Sequence, residues 1–195
     1  MTSVLAAPRH PLIEYALTDA QRWCEGHIID GRPALAHATQ VAATLAAHEP
    51  GIAPDIVAAA LLHDSPDFVP AGFDLDGYLT ARYSAETTRV VRALQAEHRA
   101  LDSGAPAVLI DDQPVLLVST ADKIVALRSL LRRAAASGDT TAFFSQRAQL
   151  LDLVPHFSAF HLAAAPLIPA GLADALGGVV TDLVVATAAA RRSRP

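Results

Sequence analysis

With 195 residues, 52% of them apolar, the chain can bury one sizeable core and is expected to form a single domain. Its formal charge of −5 argues against a nucleic-acid groove or an anionic membrane surface as partner. The lone cysteine, Cys24, excludes an internal disulfide and a cysteine-based zinc site, and is expected to be a small buried hydrophobe. Abundant alanine and few aromatics favour close-packed helices over a β-sandwich.

The first ten residues lack a basic start followed by a long apolar core, so no signal peptide is read there. Residues 12–26 read as an amphipathic helix with Leu12, Tyr15, Ala16, Ala20 and Trp23 on one face, closed by Gly26. Residues 27–33 form a turn punctuated by Asp30, Gly31 and Pro33. A second helix runs from Ala34 to about His48 with Val41, Ala42 and Leu45 inward, and Glu49-Pro50-Gly51 breaks it. The next opens at Ala53-Pro54-Asp55, proline in its first turn, and ends at Ser65-Pro66.

A short helix is predicted around 74–82 and a longer one from Ser84, a ready N-cap, to about Ala100. Residues 102–113 read as a loop. From Pro114 the apolar spacing continues without a break through Ile124, Leu127 and Leu131 to Ser137, which favours helix over strand. Asp139 caps a further helix through Phe143, Leu150, Leu151 and Val154; Pro166, Pro169 and Gly171 mark a junction; and a last helix spans about 172–190. The tail from Arg191 to Pro195 is expected to fray near the negative pole of that helix. The runs around 52–62 and 177–190 are too short, or carry an Asp, for a transmembrane span. The expectation is an all-α bundle of seven or eight helices, its core over about 12–165, in a soluble cytoplasmic protein with no nucleic-acid or membrane partner; a homo-oligomer remains compatible with it.

Four residues share one property: each is a hard or borderline metal ligand on an apolar or small-residue helix face. They are His37, His63, Asp64 and Asp122. One turn from His37 lie Pro33, Ala34, Gln40 and Val41; from Asp122, Val118, Ser119, Val125 and Ala126. His63-Asp64 ends the apolar run Ile56–Leu62, where an unpaired carboxylate is costly. Singly, each has an ordinary reading: a core histidine, a helix-terminating Asp64, or Asp122-Lys123 as part of a surface ion pair. Together, two imidazoles and two carboxylates suit one divalent ion, Mn²⁺ foremost, with Fe²⁺, Zn²⁺ or Mg²⁺ also accommodated.

The order His…His-Asp…Asp resembles that of the HD-domain metal-dependent phosphohydrolases. The nearest likeness is to the hydrolase domain of RelA/SpoT-type alarmone enzymes and their small stand-alone relatives. Gly31-Arg-Pro-Ala-Leu-Ala-His37 is similar to that family's Gly-x-Pro-x-x-x-His. Val57-Ala-Ala-Ala-Leu-Leu-His-Asp64 is similar to its HD helix, Tyr83-Ser-Ala-Glu-Thr-Thr-Arg-Val-Val91 to the segment that follows, and Thr120-Ala-Asp-Lys-Ile-Val-Ala-Leu-Arg128 to its Ala-Asp-Lys-Leu-x-Asn-Leu-Arg motif. The likeness covers about residues 20–135 and implies an HD-type bundle in which His37, His63, Asp64 and Asp122 hold the metal. Two positions depart from the pattern. The Glu-Asp pair that helps activate water is replaced by Asp67-Phe68, and a nucleotide-contacting asparagine by Ala126.

The resemblance implies hydrolysis of a phosphate ester or pyrophosphate on a small nucleotide-like substrate, including a guanosine alarmone 3′-pyrophosphate. Asp67 would orient or deprotonate the attacking water, and Arg32 and Arg128 are the candidate phosphate clamps. The alternative, motivated by Phe68 and Ala126, is a non-catalytic or degenerate HD module that senses a nucleotide or a partner protein.

Overall fold

Seven consecutive buried residues, Ile56–Leu62, form the centre of the molecule. They belong to one short helix buried all round, as a core helix should be. The computed structural model describes residues 4–6, 8–29, 31–107 and 111–193, and among them the chain is an all-α bundle. Its helices are α1 (Pro11–Trp23), α2 (Ala34–His48), α3 (Pro54–Leu62), α4 (Leu75–Arg82), α5 (Ala85–Asp102), α6 (Gln113–Ala136), α7 (Thr140–Ser145), α8 (Ala148–Ala164) and α9 (Ala170–Arg192). The buried α3 packs on α1, α2 and α5, whereas the long α6 lies against α2 and α9.

Local chemistry sets most boundaries. Pro54 opens α3, and Ser84, Asp112 and Asp139 cap α5, α6 and α7 by accepting from backbone N–H groups. The Asp19 carboxylate, buried on α1, accepts from Tyr78 and Tyr83 hydroxyls at 2.8 and 2.5 Å and from Arg82 Nε at 3.1 Å, which ties α1 to α4.

Three sequence expectations are corrected. The turn over 27–33 contains a two-stranded antiparallel ribbon, β1 (Ile28–Ile29) and β2 (Arg32–Pro33), with Gly31 at φ 72°. The helix expected from Asp139 through Val154 is two helices, because Arg147 turns back to donate to the Phe143 carbonyl and stacks its guanidinium on the Phe143 ring. Tyr15 is 45% exposed; the buried stripe of α1 is Ile13, Ala16, Ala20 and Trp23, and the Tyr15 ring instead lies under Arg82. Asp30 of the expected turn, residues 108–110 of the expected loop, and Arg194 and Pro195 of the tail lie outside the described residues. By length and composition alone Ala148–Leu167 and Ala170–Arg192 are apolar enough to cross a membrane; both pack within the bundle.

Candidate metal centre

The four expected ligands come from three helices and meet. His37 points in from the first turn of α2, His63 is the C-cap of α3 with Asp64 next to it, and Asp122 sits midway along α6. His37 Nε2 lies 3.0 Å from Asp122 Oδ1 and 3.7 Å from Asp64 Oδ2. His63 Nε2 lies 3.2 Å from Asp64 Oδ2 and 3.7 Å from Asp122 Oδ1. The sequence forces this position on Asp64. Pro66 cannot continue a helix, so α3 stops at Leu62, and a single 3-10 turn over Ser65–Asp67 follows, the Ser65 hydroxyl donating to the Leu62 carbonyl at 2.6 Å.

A fifth residue joins them. His98 of α5 places Nε2 3.2 Å from Asp122 Oδ2 and Nδ1 3.7 Å from Asp64 Oδ1. Its signal in the sequence was periodicity: it falls one turn from Leu94 and two from Val91, both fully buried. The buried partner to this contact is an ion pair. Lys123 Nζ donates to Glu97 Oε1 at 2.6 Å and to Ser119 Oγ at 2.8 Å. Glu97 and Lys123 are the chain neighbours of His98 and Asp122, so the pair holds α5 and α6 in the register that brings those two together. Lys123 is thus a core residue, and Asp122 is not half of a surface pair.

The electrostatics of these groups are mutual. Burial opposes a charge on His63, but the Asp64 and Asp122 carboxylates outweigh it and push its pKa up to about 9. The same balance raises His98, where Asp122 overcomes desolvation. Burial would lift Asp122, yet the His37, His63 and His98 imidazoles hold it well below the usual carboxylate range. Without a metal, protons occupy the place of its positive charge.

The donor set fits a divalent ion. His63 Nδ1 lies 2.8 Å from the Ala60 carbonyl, a contact that orients the ring and leaves Nε2 as its metal-facing atom. His63 Nε2 and Asp64 Oδ2 are both buried without a hydrogen-bond partner, although only 3.2 Å apart. A lone pair facing a carboxylate oxygen is repulsive unless a cation or a proton stands between them. In each of two overlapping sets, His37-His63-Asp64 and His63-His98-Asp122, the ligand atoms lie within 4.8 Å of one another.

The cluster opens into a cavity of about 420 Å³, within the roughly 300–1,000 Å³ typical of small-molecule sites. Besides the expected ligands and His98 it is lined by Ile29, Asp67, Phe68, Leu101, Asp102 and Ala126. Asp67 is exposed at this wall. Phe68 stacks on His27, ring centroids 4.3 Å apart. Among the described residues no lysine or arginine lines the cavity. The two expected phosphate clamps, Arg32 and Arg128, line a separate recess. Arg128 lies six residues past Asp122, about 9 Å further along the helix axis, and Arg32 extends toward it. Cys24 is buried as expected; burial first, and Asp64 second, raise its thiol to about 11. No protein-family model matches this chain, and no curated protein matches it.

Proposed function

We propose that the chain is a metal-dependent phosphohydrolase acting on a small phosphate ester, of the kind its likeness to HD-domain enzymes implies. The observation that carries this reading is the convergence of His37, His63, Asp64 and Asp122, with His63 Nε2 and Asp64 Oδ2 buried and unpaired. These four would hold one divalent ion, with His98 as a further ligand or as the group that orients Asp122. The mixed nitrogen and oxygen set accommodates Mn²⁺, Fe²⁺, Zn²⁺ or Mg²⁺, and Mn²⁺ is the first of these to test. Such an ion supplies Lewis-acid polarisation of a phosphoryl oxygen and acidification of water.

The rest is the protein's own work. Asp67, exposed in the same wall and without a hydrogen bond to its carboxylate among the described residues, would take a proton from the attacking water. Phe68 offers an apolar face to the non-phosphate part of the substrate. Because Asp67 and Asp102 line the cavity and, among the described residues, no lysine or arginine does, each additional phosphate charge adds repulsion. A monoester therefore suits the cavity better than a pyrophosphate, and an alarmone is the less favoured substrate. That same lack of cations, with Phe68 and Ala126 in the wall, favours a second reading in which the cavity senses a nucleotide without turnover.

A panel of phosphomonoesters, nucleotides and alarmones incubated with Mn²⁺-loaded protein separates the two. Phosphate release that Asp64→Ala abolishes, and that Asp67→Asn lowers by about 10²–10⁴-fold in kcat with metal content unchanged, is the expected result. Saturable binding with no release supports the sensor.

A further inference from the structure

Arg128 and Arg132 lie one turn apart on α6, and Arg32 reaches them from β2. The three line a recess of about 100 Å³ with Gln40, Thr44 and Val125. Among the described residues no carboxylate is in its lining. Arg32 Nη1 is buried there without a hydrogen-bond partner. Arg9, Arg82, Arg89 and Arg92 each pair with a carboxylate, whereas Arg32, Arg128 and Arg132 are in no ion pair among the described residues. Asp174 and Asp182 of α9 share a neighbouring recess with Arg128 and Arg132 but do not reach ion-pair distance.

This arrangement is costly as it stands. A guanidinium N–H removed from water needs an acceptor, and like charges one turn apart on a helix repel. In a protein of net charge −5, three cations gathered around one small recess call for an anion. The recess is too small for a nucleotide but matches a single head-group. Three arginines, an amide and a hydroxyl residue line it, a donor-rich set that suits a tetrahedral dianion with acceptor oxygens in several directions better than a planar carboxylate.

We propose that Arg32, Arg128 and Arg132, with Gln40 and Thr44, form a phosphate-binding site distinct from the metal centre. The two lie on adjoining faces of α6, since Val125 lines this recess and Ala126 the metal cavity. The recess needs no metal, so it stands whether or not the hydrolase reading holds. Its occupant is a phosphate group, either free or at the end of a larger molecule.

The test is calorimetric titration of the whole chain in excess chelator, with inorganic phosphate in one arm and glucose 6-phosphate in the other. At least one probe should bind once per chain, and Arg132→Gln and Arg32→Gln should each weaken it by about tenfold or more. Arg132→Lys, which keeps the charge and loses the fork, should be intermediate, and Asp64→Ala should bind as wild type. Tighter binding of inorganic phosphate marks the free ion as the occupant; tighter binding of the sugar phosphate marks a phosphorylated molecule. The proposal is overturned if neither probe binds, if affinity is unchanged in Arg132→Gln, whose side chain is exposed and whose substitution the fold should tolerate, or if Asp64→Ala abolishes binding.

Discussion

With Nδ1 directed at the Ala60 carbonyl, His63 has only Nε2 left to face two carboxylates, and its proton becomes a competitor of any metal. His63 titrates near 6.5 when unfolded and at about 9 in the fold. Its contribution to stability in metal-free protein is therefore fully present below pH 6.5 and is lost as pH rises through about 9. Asp122 acts oppositely: its depressed pKa stabilises above the usual carboxylate range, and that gain is lost as acid titrates it. Chelated protein should thus lose Tm between pH 6.5 and 9, while the Tm gain on adding Mn²⁺ grows. Below pH 9 metal must displace the His63 proton, so its apparent affinity should climb by up to about tenfold per pH unit. An affinity flat across that range would show that His63 does not face the ion. At this scale the four residues that converge, His37, His63, Asp64 and Asp122, were legible because each put a metal-capable group on a small or apolar helix face. His98 was missed because the HD-domain pattern that the sequence resembles names four ligands and none in the segment that forms α5. The arginines were misplaced because nearness in sequence to His37 or Asp122 says nothing about where a long side chain ends.

Among the elements, α5 and α6 are joined by a buried ion pair beside the His98–Asp122 contact. Glu97 and Lys123 side chains are each 3% exposed and 2.6 Å apart, and Glu97 Oε2 has no partner. Lys123→Met should strand a buried carboxylate and destabilise the fold by about 3–5 kcal/mol in urea unfolding. The double variant Glu97→Leu with Lys123→Met should recover most of that loss, since a well-packed apolar pair often replaces a buried ion pair at little cost. Equal instability of single and double variants would mean the pair contributes more than its charges. Helix starts at Pro54, Ser84 and Asp139 could be read from the sequence because the start signal is local, whereas the Asp112 cap of α6 fell within the expected loop. The ribbon could not, since two-residue strands are too short to show an alternating pattern. Nor could the break between α7 and α8, which depends on where the Arg147 side chain folds back.

For the whole molecule, composition and helical periodicity were enough to indicate an all-α bundle, because burial of alanine and leucine faces is spread over the entire chain. The convergence of α2, α3, α5 and α6 on one point is a tertiary fact that spacing alone does not contain. The most direct test is metal analysis of the purified chain with anomalous diffraction from Mn²⁺-loaded crystals. One ion per chain, lying between His37, His63, Asp64 and Asp122 and lost in Asp122→Ala, is the predicted result. Protein that retains no stoichiometric divalent ion, or that binds one only elsewhere, would contradict it.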